Sequence, residues 1–100
     1  MEIDQLSSQE AIRYKRQIVI PAFGEKGQKQ LKRASIFIAG LGGLGAVSAY
    51  YLAAAGVGRL KIVDKDHVEL ENLNRQILYS TGDVGRSKTE SAFEKLHALN

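Results

Sequence analysis

The sequence predicts an α/β protein built on the first βαβ unit of a doubly wound parallel sheet, with a helical arm in front of it. Three observations carry this. A short apolar run, Ser35-Ile36-Phe37-Ile38-Ala39, is followed at once by the glycine-rich turn Gly40-Leu41-Gly42-Gly43-Leu44-Gly45. One helix length of small residues comes next, and then a second short apolar run, Arg59-Leu60-Lys61-Ile62-Val63-Asp64. Strand, glycine turn, helix and strand in that order read as a right-handed parallel crossover.

In chain order, Ser7 and Glu10 are spaced as a capping box, which predicts a helix from there to about Gln17. Ile18-Val19-Ile20 is a brief apolar run that Pro21 stops. Phe23-Gly24 turns the chain into a second helix, about Glu25 to Arg33. Residues 35–39 are branched and aromatic, as a buried strand requires. The next helix is predicted from about Leu44 to Ala55, ended by Gly56-Val57-Gly58. After Asp64 a long polar connection, Lys65 to Gly85, leads to a second capping box, Ser87 with Glu90. The last helix is expected to place Ala92, Phe93, Leu96 and Leu99 on one apolar face. Two strands do not make a stable doubly wound sheet, so the 100 residues are expected to be a fragment of a larger domain, inactive by itself.

Composition narrows the function classes. The chain has 44% apolar and 25% charged residues, as ordinary globular proteins do. It has no cysteine, which removes disulfides, thiolate nucleophiles and cysteine zinc sites. No apolar run approaches the roughly 18 residues of a membrane helix. The acidic, polar start, Met1 to Gln5, is no secretory signal, so no membrane association and a cytoplasmic location are expected. The net charge is only +3, and its densest cluster, Lys26, Lys29, Lys32 and Arg33, carries no interleaved aromatic residue. A solvated helix face is expected there rather than a nucleic-acid surface.

The glycine turn is suited to an anion. Gly40 and Gly42 permit a tight turn and close backbone approach, and Gly45 lets helix pack on strand. The helix start then offers unpaired amides and a partial positive charge to a phosphate. Asp64, 19 residues after Gly45 at the carboxyl end of the second strand, is placed to accept from both ribose hydroxyls. These features point to a nucleotide in a Rossmann-like fold; an NAD or FAD oxidoreductase would share them. His67 and His97 are isolated and expected to face solvent, and no metal site is expected in this chain. Tyr50, Tyr51, Phe37 and Phe93 are expected to be core or interface aromatics. Asp66 reads as a turn former.

Further motifs stand in one order: Arg13-Tyr14-Lys15-Arg16-Gln17, the glycine turn, Tyr51 to Gly58, Asp64-Lys65-Asp66, Asn72-Leu73-Asn74-Arg75-Gln76 and Gly85-Arg86-Ser87-Lys88. From about Arg13 to Asn100 the chain resembles the bacterial molybdopterin-synthase and thiamine-pathway sulfur-carrier adenylyltransferases and the eukaryotic ubiquitin-activating enzymes. Ala46-Val47-Ser48 stands where many members carry a proline. The resemblance implies that the C-terminal carboxylate of a small ubiquitin-like sulfur-carrier protein attacks the α-phosphate of ATP, giving an acyl-adenylate and pyrophosphate.

The same resemblance implies residue roles. Gly42 and Gly43 would lie against the nucleotide and Asp64 would hold its ribose. The segment Glu71, Asn72, Leu73, Asn74, Arg75 and Gln76 would line the site, with Asn72 bonding the nucleotide and Gln76 near the phosphates. Arg75 and Lys88 would supply positive charge to the triphosphate, and Arg16 would reach the partner's phosphates across a homodimer. The magnesium-binding aspartate is expected beyond this chain. Residues 1–34 then read as the helical arm and 35–100 as the first part of an ATP-binding domain.

Overall fold

The computed structural model describes residues 5–100; most of the acidic start, Met1 to Asp4, lies outside them. The arm consists of α1 (Ser8–Arg13), α2 (Lys15–Ile18) and α3 (Gly24–Arg33). The capping box is present in full: the Glu10 amide donates to Ser7 Oγ and the Ser7 amide to Glu10 Oε1. The single helix expected as far as Gln17 is broken at Tyr14, which leaves helical geometry at φ −101°, ψ 15°. Its ring is buried, and its hydroxyl accepts from Asn100 Nδ2 at 2.7 Å. Packing has overridden local helix propensity there. In the basic cluster, Lys29 pairs with Glu25 and Lys32 with Glu10.

Strand β1 (Ser35–Ala39), helix α4 (Gly43–Ala55) and strand β2 (Arg59–Val63) form the expected unit within a residue of the expected bounds. The strands pair in parallel, with Ile38 opposite Ile62. Both Ile38 and Ile62 pack on a core of Leu41, Ala46, Ala49, Val68, Leu78, Tyr79 and Ala92. The sheet is nonetheless covered on one face only among the described residues. Ile36, Ile38, Leu60 and Ile62 are half-buried, while Phe37 is 58% exposed and Val63 is exposed beside it. The composition of 35–39 predicts a buried strand, whereas burial alternates along it. The alternation arises because α4 and the last helix both pack on the isoleucine side.

The arm docks on the glycine end of α4. Gly56 has φ +103°, and a side chain there would meet Gln28 Nε2 at 2.5 Å and Tyr14 Cζ at 2.7 Å. Gln28 is completely buried: its Nε2 donates to the Ala55 carbonyl, and its Oε1 accepts from Gln17 Nε2. Two glutamines of the arm thus satisfy a carbonyl in the last turn of α4, where intrahelical donors run out.

The connection after β2 is less polar in place than in sequence. It contains two 3₁₀ turns, Leu70–Asn72 and Thr81–Asp83, and buries Val68, Leu78 and Tyr79. It folds back to form an antiparallel bridge between His67 and Ser87 before α5 (Lys88–Leu99) begins. Only half of the second capping box forms. Ser87 Oγ accepts from the Glu90 amide, but the Glu90 carboxylate turns to Arg86 at 3.4 Å. Phe93 is not a core residue: it is 64% exposed and stacks on His97, while Ser91 and Ala92 take the buried side of α5. Tyr51 is exposed too, edge-on to Tyr50. The core tyrosines are Tyr14 and Tyr79. No helix among the described residues is long and apolar enough to cross a membrane.

Candidate functional site

The site lies at the carboxyl ends of β1 and β2, where the glycine turn meets the returning connection. Gly40 takes φ +96°, a conformation that side chains avoid, and its amide donates to the Val63 carbonyl. Gly45 packs so closely that a Cβ would lie 1.7 Å from the Gly40 carbonyl oxygen. Gly43 differs: an added Cβ would meet nothing within 4 Å, so the turn opens to a free space there. Among the described residues the amides of Gly42 and Gly43 have no partner. Those unpaired donors at the start of a 13-residue helix are what an anion requires.

Asp64 ties β2 to this turn. Its Oδ2 accepts from the Leu41 amide at 2.6 Å and its Oδ1 from the Asp66 amide at 2.7 Å. Burial alone would push its carboxyl up. The two amides and the charges of Lys88 and Lys65 outweigh that and hold it below the usual carboxylate range. Each oxygen keeps a second lone pair for a ligand. Asp66 is a turn former, as its position suggests, and its carbonyl accepts the Lys88 amide at 3.0 Å. That bond and the pairing of Val68 with Gly85 and Arg86 bring the start of α5 beside the end of β2.

Lys88 is only 6% exposed, and its ammonium has no hydrogen bond or ion pair among the described residues. It lines a polar cleft with Lys65, Asp66, His67, Glu69 and Asn72. Asn72 is buried, and its Oδ1 accepts from the Glu69 amide, so its Nδ2 donors remain. Glu71 is exposed. It raises the Glu69 carboxyl above the usual range, first by hydrogen bonding and then by its charge. Leu73 packs on the core, whereas Asn74 and Arg75 are exposed. Arg75 folds back through Nη1 onto the Glu71 carbonyl and Asn74 Oδ1. Gln76 is buried against Gly42, its Nε2 3.9 Å from where a Cβ would stand, and its Oε1 is buried without a partner.

The fold thus gathers Gly42, Gly43, Asp64, Asn72, Gln76 and Lys88 around one region. Arg16 is elsewhere. It is exposed on α2, next to Gln17, which is bonded to Ala55 at the far end of α4. Thirteen helical residues span roughly 20 Å, so Arg16 stands about that far from its own glycine turn. His67 and His97 are exposed, as expected. Sequence reasoning missed Tyr79, whose buried hydroxyl donates to the Leu41 carbonyl at 2.7 Å. It lies in the stretch read as polar and has no periodic signal. Among the described residues no group of three His, Cys, Asp or Glu side chains could hold a metal ion.

Comparison with known proteins places this arrangement. The model of the ThiF family matches residues 14–100. The chain is 50% identical over 94 residues to the sulfur carrier protein adenylyltransferase of Thermus thermophilus, covering 94% of this chain and 35% of that protein. It is 49% identical over 98 residues to the adenylyltransferase and sulfurtransferase MOCS3 of Aedes aegypti, covering 98% of this chain and 22% of that one. Among solved structures, the E. coli tRNA N6-threonylcarbamoyladenosine dehydratase TcdA in complex with ATP has a TM-score of 0.87 at 31% identity, over 96% of this chain and 39% of that chain. The chain therefore spans about a fifth to two fifths of the proteins it matches.

Proposed function

The chain belongs to the ThiF family, and from that premise we propose that it forms the nucleotide-binding part of an enzyme that adenylylates the C-terminal carboxylate of a ubiquitin-like sulfur-carrier protein. The observation that carries the reading is Lys88. Its side chain is almost wholly covered, and its charge, unpaired among the described residues, lines a polar cleft near an ionised Asp64. A ligand rich in negative charge supplies what that group lacks. The relative named a sulfur carrier protein adenylyltransferase is 50% identical, against 31% for the ATP-bound dehydratase, which favours the carrier as substrate.

The residues fit ATP as the co-substrate. The space at Gly43 accommodates a backbone-hugging phosphate, and the free amides of Gly42 and Gly43 donate to it. Asp64 accepts from the ribose hydroxyls through its remaining lone pairs, and Asn72 donates through Nδ2. Gln76 meets the phosphates beside Gly42, while Glu71, Leu73 and Asn74 shape the wall. ATP supplies the electrophilic phosphorus and the pyrophosphate leaving group. A C-terminal carboxylate is already ionised at pH 7, so no general base is needed. The chain's task is positioning and positive charge, which Lys88 and Arg75 provide; loss of such a group costs roughly 10² to 10³ in rate. Magnesium finds no ligand cluster among the described residues, and no step here rests on it.

Arg16 serves the neighbouring subunit's phosphates in a homodimer, the arm of residues 1–34 being the element that crosses and residues 35–100 the nucleotide domain. The enzyme acts in the cytoplasm, free of membranes and nucleic acid. Thermal unfolding with saturating ATP or NAD tests the nucleotide: ATP at a hundred times its Kd adds about 2.7 kcal/mol of stability. Stabilisation by NAD and not by ATP would overturn the reading. Carrier-dependent exchange of pyrophosphate into ATP tests the reaction.

A further inference from the structure

We propose that Tyr79 is the positioning residue of the glycine turn, its hydroxyl aiming the Gly42 amide at the phosphate of the bound nucleotide. The Leu41 carbonyl and the Gly42 N–H belong to one peptide unit. In a trans peptide the C=O and N–H of one unit point in opposite directions. The Leu41 carbonyl accepts from the buried Tyr79 hydroxyl at 2.7 Å. The Gly42 N–H therefore points away from Tyr79 and the core, and it has no partner among the described residues.

The preceding peptide is held as firmly. The Leu41 N–H donates to Asp64 Oδ2, and the opposing Gly40 carbonyl is wedged against Gly45. The weak point of the turn is Gly42. Without a side chain it tolerates a wide range of φ, so a flip of the Leu41–Gly42 peptide would be cheap and would turn the donor inward. Tyr79 blocks that flip. A turn flanked by glycines needs a lock from outside its own segment, and the side chain that reaches it comes 38 residues later. The hydroxyl remains a donor at all ordinary pH, because burial, and then Asp64 and Asp83, raise its pKa.

This rests on the nucleotide reading above, and the test separates the two. Affinities of the full-length wild-type enzyme and its Tyr79→Phe variant are measured by titration calorimetry for ATP and for adenosine, which lacks phosphates. The expected result is about a tenfold loss of ATP affinity in Tyr79→Phe, the scale of one buried acceptor left unpaired, with adenosine unchanged. A purely structural tyrosine would weaken both ligands alike or neither, and either pattern overturns the positioning role while ATP binding by the wild type leaves the nucleotide reading standing. Failure of the wild type to bind ATP overturns both. Should Tyr79→Phe not fold, amide NMR of the wild type decides: ATP must shift the Gly42 amide and adenosine must not. A Gly42 amide that ATP leaves unmoved overturns the inference.

Discussion

Replacing Lys88 by methionine separates a residue kept for function from one kept for the fold. Lys88 is almost wholly covered, and its ammonium makes none of the charged hydrogen bonds that return about 1.5–3 kcal/mol each. Partial desolvation of such a group is unfavourable, which attraction to Asp64 and Glu69 offsets in part. Methionine fills a similar volume without the charge, so Lys88→Met is expected to stabilise the ligand-free chain by about 1 kcal/mol. That raises Tm in proportion. On the proposed reading the same change removes a cation from beside the phosphates, at a cost of about 3 kcal/mol, or roughly a hundredfold in Kd. At an ATP concentration of a hundred wild-type Kd, the variant sits near half-saturation. Its gain then shrinks from about 2.7 to about 0.4 kcal/mol. Differential scanning fluorimetry with and without ATP should give crossed results: the variant melts higher than wild type when empty and lower when loaded. An empty variant that melts lower, or one whose response to ATP is undiminished, would refute the assignment of Lys88 to the ligand.

Asp83 supplies a pH signature. Burial would raise its carboxyl, but bonds from the Ser80 amide and hydroxyl and from Lys95 bring it from 3.8 to about 2. Its contribution of about 2 kcal/mol is present above pH 4 and is lost as pH falls toward 2; urea unfolding against pH should show that acid limb flattened in Asp83→Asn, and identical limbs would refute it. In the glycine turn, Gly45→Ala should unfold or disorder the chain by circular dichroism, since its Cβ would strike the Gly40 carbonyl oxygen. Gly43→Ala should keep the fold and lose ATP affinity, because its Cβ enters only the open space. For Arg16, subunits of the enzyme bearing Arg16→Ala, mixed with subunits bearing Lys88→Ala, should recover about a quarter of wild-type exchange activity, half the dimers being mixed and each having one intact site of two. No recovery after verified subunit exchange would place Arg16 within its own chain's chemistry or outside it altogether.

The parts of the fold legible in the sequence are those encoded locally. Gly40, Gly45 and Gly56 are each required by a feature only a few residues away, a positive φ or a backbone contact, so strand ends and helix start follow from composition. Lys88 is different. Its charge comes near Asp64 because residues 66–68 pair with 85–88 through backbone hydrogen bonds, and such pairing leaves no side-chain pattern to read. Only the ordered set of motifs pointed to it. Gln28 and Tyr79 were illegible for the same reason: each is a polar group buried by a single distant carbonyl, Ala55 for one and Leu41 for the other. Of the two readings open for Phe37 and Phe93, core or interface, exposure removes the core. Residue type alone does not decide burial, which depends on whether something covers that face of the sheet or helix.

Arg16 brings these two kinds of information into one constraint. Its backbone position is fixed by the neighbouring Gln17, whose bonds to Gln28 and the Ala55 carbonyl anchor α2 at the glycine end of α4. The unpaired amides of Gly42 and Gly43 are at the other end of that helix, roughly 20 Å away along its axis. Moving Arg16 to its own site would mean breaking the buried Gln28 network, and the orphaned carbonyl and amide would each cost about 1–3 kcal/mol. The arm therefore holds its arginine away from the site of the chain that carries it. An exposed arginine in that place is useful to phosphates only where another copy presents them, and on that physical ground we propose the arm for a shared site.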